Sequence, residues 1–224
     1  NKIDVLEGHG SFIDKNTLLV TKGDGTTEEV KTEKVIIATG SKPASLPGIE
    51  IDKKKIITST EALELTKLPK HMIVIGGGVI GVEMASVFGR LGTKITILEY
   101  ASSLSAGMDG GLGKELYRSL KKEFDCTAYF KHKVTGSKVS RGKVTVTAEN
   151  PKGETVEFSG DICLMSVGRR PYTDKLGLEN IGIETDRGRI PVDAQLQTSV
   201  RGVYAIGDVV RAAMLAHNAS EEGV

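Results

Sequence analysis

Apolar positions run through the chain in more than one rhythm. Around Gly23-Asp24-Gly25, two alternating runs in "TLLVTKGDGTTEEVKTEKVIIATGS" flank the turn chemistry of a hairpin, which predicts a small antiparallel unit within residues 1–41. Residues 35–38 are apolar at every position, as suits a strand buried on both faces and stopped by Thr39-Gly40-Ser41. The loop "KPASLPGIEIDKKK" reads as linker surface, and Ser59-Thr60-Glu61 opens a helix that Pro69 ends. From there the pattern predicts a strand (72–75), a glycine turn, a helix (79–91) stopped by Gly92, and a strand (94–99), which together make a βαβ unit. A helix at 113–123, a strand at 127–130, a hairpin in "SKVSRGKVTVTAENPKGETVEFSG" and an apolar strand at 162–167 follow. A last helix is expected from Met214 onward.

Composition narrows the function classes. Thirty basic against 29 acidic side chains leave a formal charge of +1, so no sequence-wide field favours nucleic acid or an anionic membrane. The apolar runs fall far short of the roughly 20 residues that a membrane span needs. Cys126 and Cys163 lie in unrelated contexts, with no CxxC pair and no metal-ligand spacing to the 4 histidines, and read as packing residues. No metal site is expected. The chain starts at Asn1 without a charged and apolar leader, and reads as an internal piece of a longer protein.

The candidate chemistry sits in "HMIVIGGGVIGVEMAS", where Gly76, Gly77, Gly78 and Gly81 crowd the exit of an apolar strand and Val79 and Ile80 open a helix. Glycines also mark ordinary turns, so the strand–turn–helix context carries the reading. Gly76 permits the sharp exit, Gly78 lets main chain approach a pyrophosphate, and Gly81 lets helix and strand pack closely. Phosphates would meet the unpaired N–H groups and positive dipole of the helix start. Glu99 stands 18 residues beyond Gly81 (99 − 81), at the end of the second strand, where an acid accepts the ribose hydroxyls of NAD. A 2′-phosphate would face a like charge there, which favours NAD over NADP. For Glu83, position alone leaves two readings open: an acid helped by the helix dipole, or a group beside the nicotinamide.

Two further stretches, "VIIATGSKP" and "GVYAIGDVV", are buried-strand patterns ending in glycine and belong to no simple NAD fold. With the "GGGVIGVE" turn, "SVGRRPYT" at 166–173, "AIGD" at 205–208 and "MLAHNASEEG" at 214–223, the chain resembles the flavoprotein pyridine nucleotide disulfide oxidoreductase family over essentially its whole length. Within that family it is most similar to the dihydrolipoyl dehydrogenase branch. The resemblance implies an α/β fold: a Rossmann-like NAD-binding domain with an antiparallel insertion at about 70–195, flanked by parts of an FAD-binding domain at 1–69 and 196–224. It implies that Gly10, Thr39, Gly40 and Ser41 touch the adenosine end of FAD, that Asp208 meets its ribitol, and that Met214, Leu215, Ala216 and His217 border the flavin ring. It implies further that the glycine turn, Glu99, Val134 and Gly168 line NAD, with Glu83 facing the nicotinamide beside flavin N5.

In the family, dihydrolipoamide reduces a CxxxxC disulfide, electrons pass to FAD, and FAD passes a hydride to NAD. That disulfide, the first flavin glycine turn and the His-Glu acid/base pair are not found in these residues, so the piece is expected to bind NAD but not to turn over by itself. The implied partners are a dihydrolipoamide-bearing protein of a 2-oxoacid dehydrogenase or glycine cleavage complex, and a second copy in a homodimer. The implied setting is the cytoplasm, or the mitochondrial matrix in a eukaryote. Competing readings are a sibling reductase of the mercuric or glutathione type, a non-catalytic NAD-binding module, and a hydroxyacid-type dehydrogenase, which leaves "ATGS" and "AIGD" unexplained. Arg169 and Arg170 stay open between ligand and surface roles, and His9, His71 and His132 receive no assignment. Ala212 and Ala213 stand where the family usually has a glycine-proline pair, and Ala106 where it often has a proline.

Overall fold

A computed structural model describes residues 2–210 and 213–224, so Ala212 lies outside the described residues. The chain divides into two compact units, one of Pro43–Arg169 and one of Asn1–Lys42 with Arg170–Val224.

The unit 43–169 is built on a five-stranded parallel sheet in the order Ile56–Ile57, Ile162–Met165, His71–Ile75, Lys94–Leu98, Cys126–Tyr129. A parallel sheet is covered on both faces, because its central strands turn apolar side chains to both. On one face Met72, Val74, Ile95, Ile97 and Leu164 pack against Val82, Ala85 and Phe88 of the helix Val79–Arg90 and against Leu120 of the helix Gly110–Glu123. On the other face Ile73, Ile75, Leu98 and Met165 meet Val144 and Val146. Those two valines belong to the middle strand of an antiparallel meander, Lys133–Ser140, Lys143–Glu149 and Thr155–Gly160, so the expected hairpin has a third strand. The helix Gly110–Glu123 starts three residues earlier than expected, because Asp109 caps it by accepting from the N–H groups of Gly111 and Leu112. The helix Ser59–Leu63 is closed at its start by a reciprocal pair, Thr58 and Glu61.

The unit of 1–42 and 170–224 carries the expected antiparallel sheet, His9–Asp14, Thr17–Thr21 and Thr27–Lys31. A separate parallel pair joins Val35–Ile37 to Val203–Ala205. Their core gathers Phe12, Ile37, Leu176, Leu178, Ile183, Ile190, Val203 and Val209. The expectation of burial on both faces fails for this pair: Ile37 is buried, but Ile36 alternates to the other side and is 61% exposed.

By packing, the compact units change over at 42/43 and 169/170. Residues 43–69 contribute the edge strand Ile56–Ile57 to the parallel sheet, and Ile49 of the presumed linker is buried in the same core. Residues 170–195 supply Leu176, Leu178, Ile183 and Ile190 to the other core. Shared burial, not chain order, sets the units.

Both cysteines pack as expected. Desolvation pushes the Cys163 thiol up to about 12 and the Cys126 thiol up to about 11, so neither is a thiolate near neutrality. A disulfide-type thiol reagent at pH 8 is therefore expected to label neither within minutes in the folded protein and both in guanidinium. Rapid labelling of the folded form would contradict this packing.

Candidate functional site

Strand His71–Ile75 ends at the carboxyl edge of the parallel sheet, where open α/β folds hold ligands. The exit is tight for a definable reason. Gly76 has φ +100°, and a Cβ there would stand 2.5 Å from the Ser166 carbonyl oxygen. A Cβ on Gly81 would come within 2.1 Å of the Gly76 carbonyl oxygen, so helix and strand touch backbone to backbone. Gly78 differs: nothing lies within 4 Å of its missing Cβ. It is the N-cap of the helix Val79–Arg90, and no side chain caps that end. No capping side chain supplies the first-turn N–H groups with an acceptor.

Glu99 follows the strand Lys94–Leu98 and reaches back to the turn. One carboxylate oxygen accepts the Gly77 N–H at 2.5 Å and the other accepts the Ala101 N–H at 2.6 Å. The loop beyond it closes on the same place, with the Ser105 N–H donating to the Gly77 carbonyl at 2.8 Å and buried Leu104 filling the space beside Gly77. Ser166 completes the support: its buried hydroxyl lies 2.9 Å from the Ile75 carbonyl and 3.0 Å from that of Gly76, and can donate to either. Gly168 follows at φ +118°, its carbonyl accepting the Ala44 N–H. Val134 packs partly into the core beside a register shift in the meander. Glu83 is exposed on the helix.

In the other unit the Thr39 hydroxyl donates to the Tyr172 carbonyl at 2.7 Å and the Tyr172 N–H donates to the Gly40 carbonyl at 2.9 Å, joining two of the singled-out motifs. The Ser41 hydroxyl donates to Asp208 at 2.5 Å, which ties "ATGS" to "AIGD". Met214 and Leu215 lead into the short helix Ala216–Glu222, on which Ala216 and His217 are exposed. Gly10 lies opposite Val20 in the antiparallel sheet. Arg170 pairs with Asp174, which also binds Lys42, and Lys42 lies over the Tyr172 ring at 4.8 Å. Exposed as it is, the Arg170 pair is worth about 1 kcal/mol or less. The unassigned histidines have local partners: His9 the Lys175 carbonyl, His71 the Thr96 hydroxyl, His132 the Phe130 carbonyl.

Sequence reasoning missed Ser166, Leu104, Ser105 and Glu222, whose carboxylate accepts the Gly207 N–H. Ser166 and Glu222 lie in the motifs at 166–173 and 214–223 that carry the resemblance, but neither received a role of its own.

Residues 1–223 match the family described as pyridine nucleotide-disulphide oxidoreductase. The chain belongs to that family. Members of this pyridine nucleotide-disulphide oxidoreductase family are oxidoreductases that use FAD and NAD(P). The chain is 46% identical to dihydrolipoyl dehydrogenase 2, mitochondrial, of Arabidopsis thaliana over 226 residues, covering 100% of this chain and 44% of that protein. It is 46% identical to dihydrolipoyl dehydrogenase, mitochondrial, of Dictyostelium discoideum over 228 residues, covering 100% of this chain and 46% of that one. Among solved structures it is similar to the HOCl-induced flavoprotein disulfide reductase RclA of Escherichia coli, at 30% identity and a TM-score of 0.89 over 98% of this chain and 48% of that chain. It thus spans less than half the length of these relatives.

The glycines separate structural need from ligand need. Gly81→Ala is expected to lower stability by about 2 kcal/mol or more in urea unfolding, since its Cβ overlaps backbone that cannot move aside. Gly78→Ala, with open space around it, is expected to cost under about 1 kcal/mol. Equal losses at the two positions would contradict this division.

Proposed function

We propose that this chain is the NAD-binding part, with portions of the FAD-binding part, of a dihydrolipoyl dehydrogenase. The observation that carries the reading is Glu99 fixed against the glycine turn, beside an uncapped helix start with open space at Gly78. The match to dihydrolipoyl dehydrogenases along the full chain supports the same branch of the family.

Bound FAD would relay electrons from a dithiol, and bound NAD would take up the hydride. The chain's own part is binding and orientation. The N–H groups of Gly78, Val79 and Ile80 hold the pyrophosphate, favoured by the helix dipole. Glu99 accepts from the adenosine ribose hydroxyls with the lone pairs its two backbone bonds leave over, since a carboxylate offers about four acceptor sites. Val134 and Gly168 border the dinucleotide, and Glu83 lies beside the nicotinamide. In the flavin-binding portion Thr39, Gly40, Ser41 and Gly10 contact the adenosine end of FAD, Asp208 its ribitol, and Met214–His217 its ring. Cys126 and Cys163 are buried in separate strands, so the dithiol exchange rests on thiols other than these. The partner is then a lipoyl-bearing protein of a 2-oxoacid dehydrogenase or glycine cleavage complex, met by a homodimer. Both relatives are named as mitochondrial, which supports the matrix for a eukaryotic protein.

Calorimetry with Glu99→Gln and Glu99→Ala tests the ribose assignment. Loss of hydrogen bonds to a charged acceptor is expected to weaken NADH by about 10-fold or more. Both variants also remove the like charge that opposes a 2′-phosphate, so the preference for NADH over NADPH should fall. An unchanged ratio in both would sink the assignment.

A further inference from the structure

Three segments of the unit 1–42 and 170–224 meet through side chain-to-turn contacts that the sequence keeps far apart. The Ser41 hydroxyl holds Asp208, and Asp208 sits in the single helical turn Gly207–Val209. Gly207 adopts φ +74°, and its N–H donates to a carboxylate oxygen of Glu222 at 2.6 Å. Glu222 is the last residue of the helix Ala216–Glu222, and Ala219 of that helix lies against the same turn: a Cβ on Gly207 would stand 3.1 Å from the Ala219 Cβ.

This helix is short and shallowly packed. It is 7 residues long, buries none of them fully, and has no side-chain cap at its start. Isolated helices of under about 12 residues are marginal in water, so tertiary contacts must fix its place. The bond from Gly207 is charge-assisted and partly buried, which makes it worth more than an exposed neutral one. The segment Met214–His217 enters and begins this helix, so its place relative to Asp208 passes through Glu222.

We propose that Glu222 is a positioning residue of the flavin site, holding Met214–His217 in register with Asp208. This rests on the reading above that these residues border FAD. Glu222 need not touch the cofactor. Its loss would free the Gly207 amide, let the short helix fray, and remove the border that Met214–His217 gives to a ring.

The test uses the full-length flavoprotein with Glu222→Ala and Glu222→Gln. Three quantities are read: the FAD dissociation constant of the apoprotein by flavin fluorescence, the visible circular dichroism of bound flavin, and amide exchange over residues 206–210 without FAD. For Glu222→Ala we expect FAD binding weakened about 10-fold, a changed flavin spectrum, and exchange at Gly207 faster by a similar factor. Glu222→Gln, whose amide oxygen can accept the same N–H, should return all three to within about 3-fold of the parent. Should the alanine variant not fold, Glu222→Asp, one methylene short, gives the same reading through weakened FAD binding. The proposal is overturned if the wild type binds FAD and the alanine variant, or the aspartate variant in its place, binds it equally well. It is also overturned if Gln rescues nothing. A wild type that takes up no FAD would overturn the flavin reading itself, and this proposal with it, and is distinguished by the parent's own titration.

Discussion

The approach of one backbone to another at Gly81 and Gly76 governs the glycine turn. A Cβ at Gly81 would fall 2.1 Å from a carbonyl oxygen, a distance at which something must move. Little can move, because the strand behind Gly76 is buried between helices on one face and the meander on the other. The helix start is therefore fixed relative to the end of a rigid strand, and the core sets the direction of its first-turn N–H groups. Ser166 reinforces that exit from the neighbouring strand through its hydroxyl. A loop alone would not hold donors so well, since ordering them would cost conformational entropy each time a ligand arrived.

Glu99 is tied into the structure through both of its carboxylate oxygens. Each of its oxygens already accepts a backbone N–H, one from the glycine turn and one from the loop after the second strand. Those bonds fix the rotamer and satisfy the charge before any ligand binds. Under the proposed NAD reading, the remaining lone pairs lie in a defined place that would suit a vicinal diol and repel a phosphate. An unbonded acid at the same sequence position would have to lose side-chain freedom on binding, and would discriminate less sharply.

Much of this was legible because it depends on local chemistry. The apolar run 72–75, the glycines after it and the acid at 99 are each tied to neighbours in sequence, and the βαβ unit appears with ends shifted by a residue or so. What stayed hidden depends on distant packing. Ile49 looked like linker because only the fold brings it beside Ile73 and Met165. Ile36 looked buried because an apolar run does not tell which faces find a partner. Leu104 and Ser105 lie in a polar, small-residue loop whose link to Gly77 spans some 28 residues (105 − 77). Glu222 resembles any helical surface acid until the turn at Gly207 comes within reach.

Apolar side chains stay open at the helix start after Gly78 and at the entry to the helix Ala216–Glu222. Val79, the first residue of the helix whose start no side chain caps, is 50% exposed, and Leu215, the N-cap of the helix Ala216–Glu222, is 49% exposed. Single exposed apolar residues are common on protein surfaces and mean little alone. Next to oriented polar groups they have a more specific consequence, because a ligand that satisfies the donors also covers the hydrocarbon. A dinucleotide carries both kinds of surface, phosphate oxygens and flat rings, on one molecule. The glycines at 76 and 81 answer to backbone crowding, while Val79 stays exposed beside an N-cap that no side chain fills.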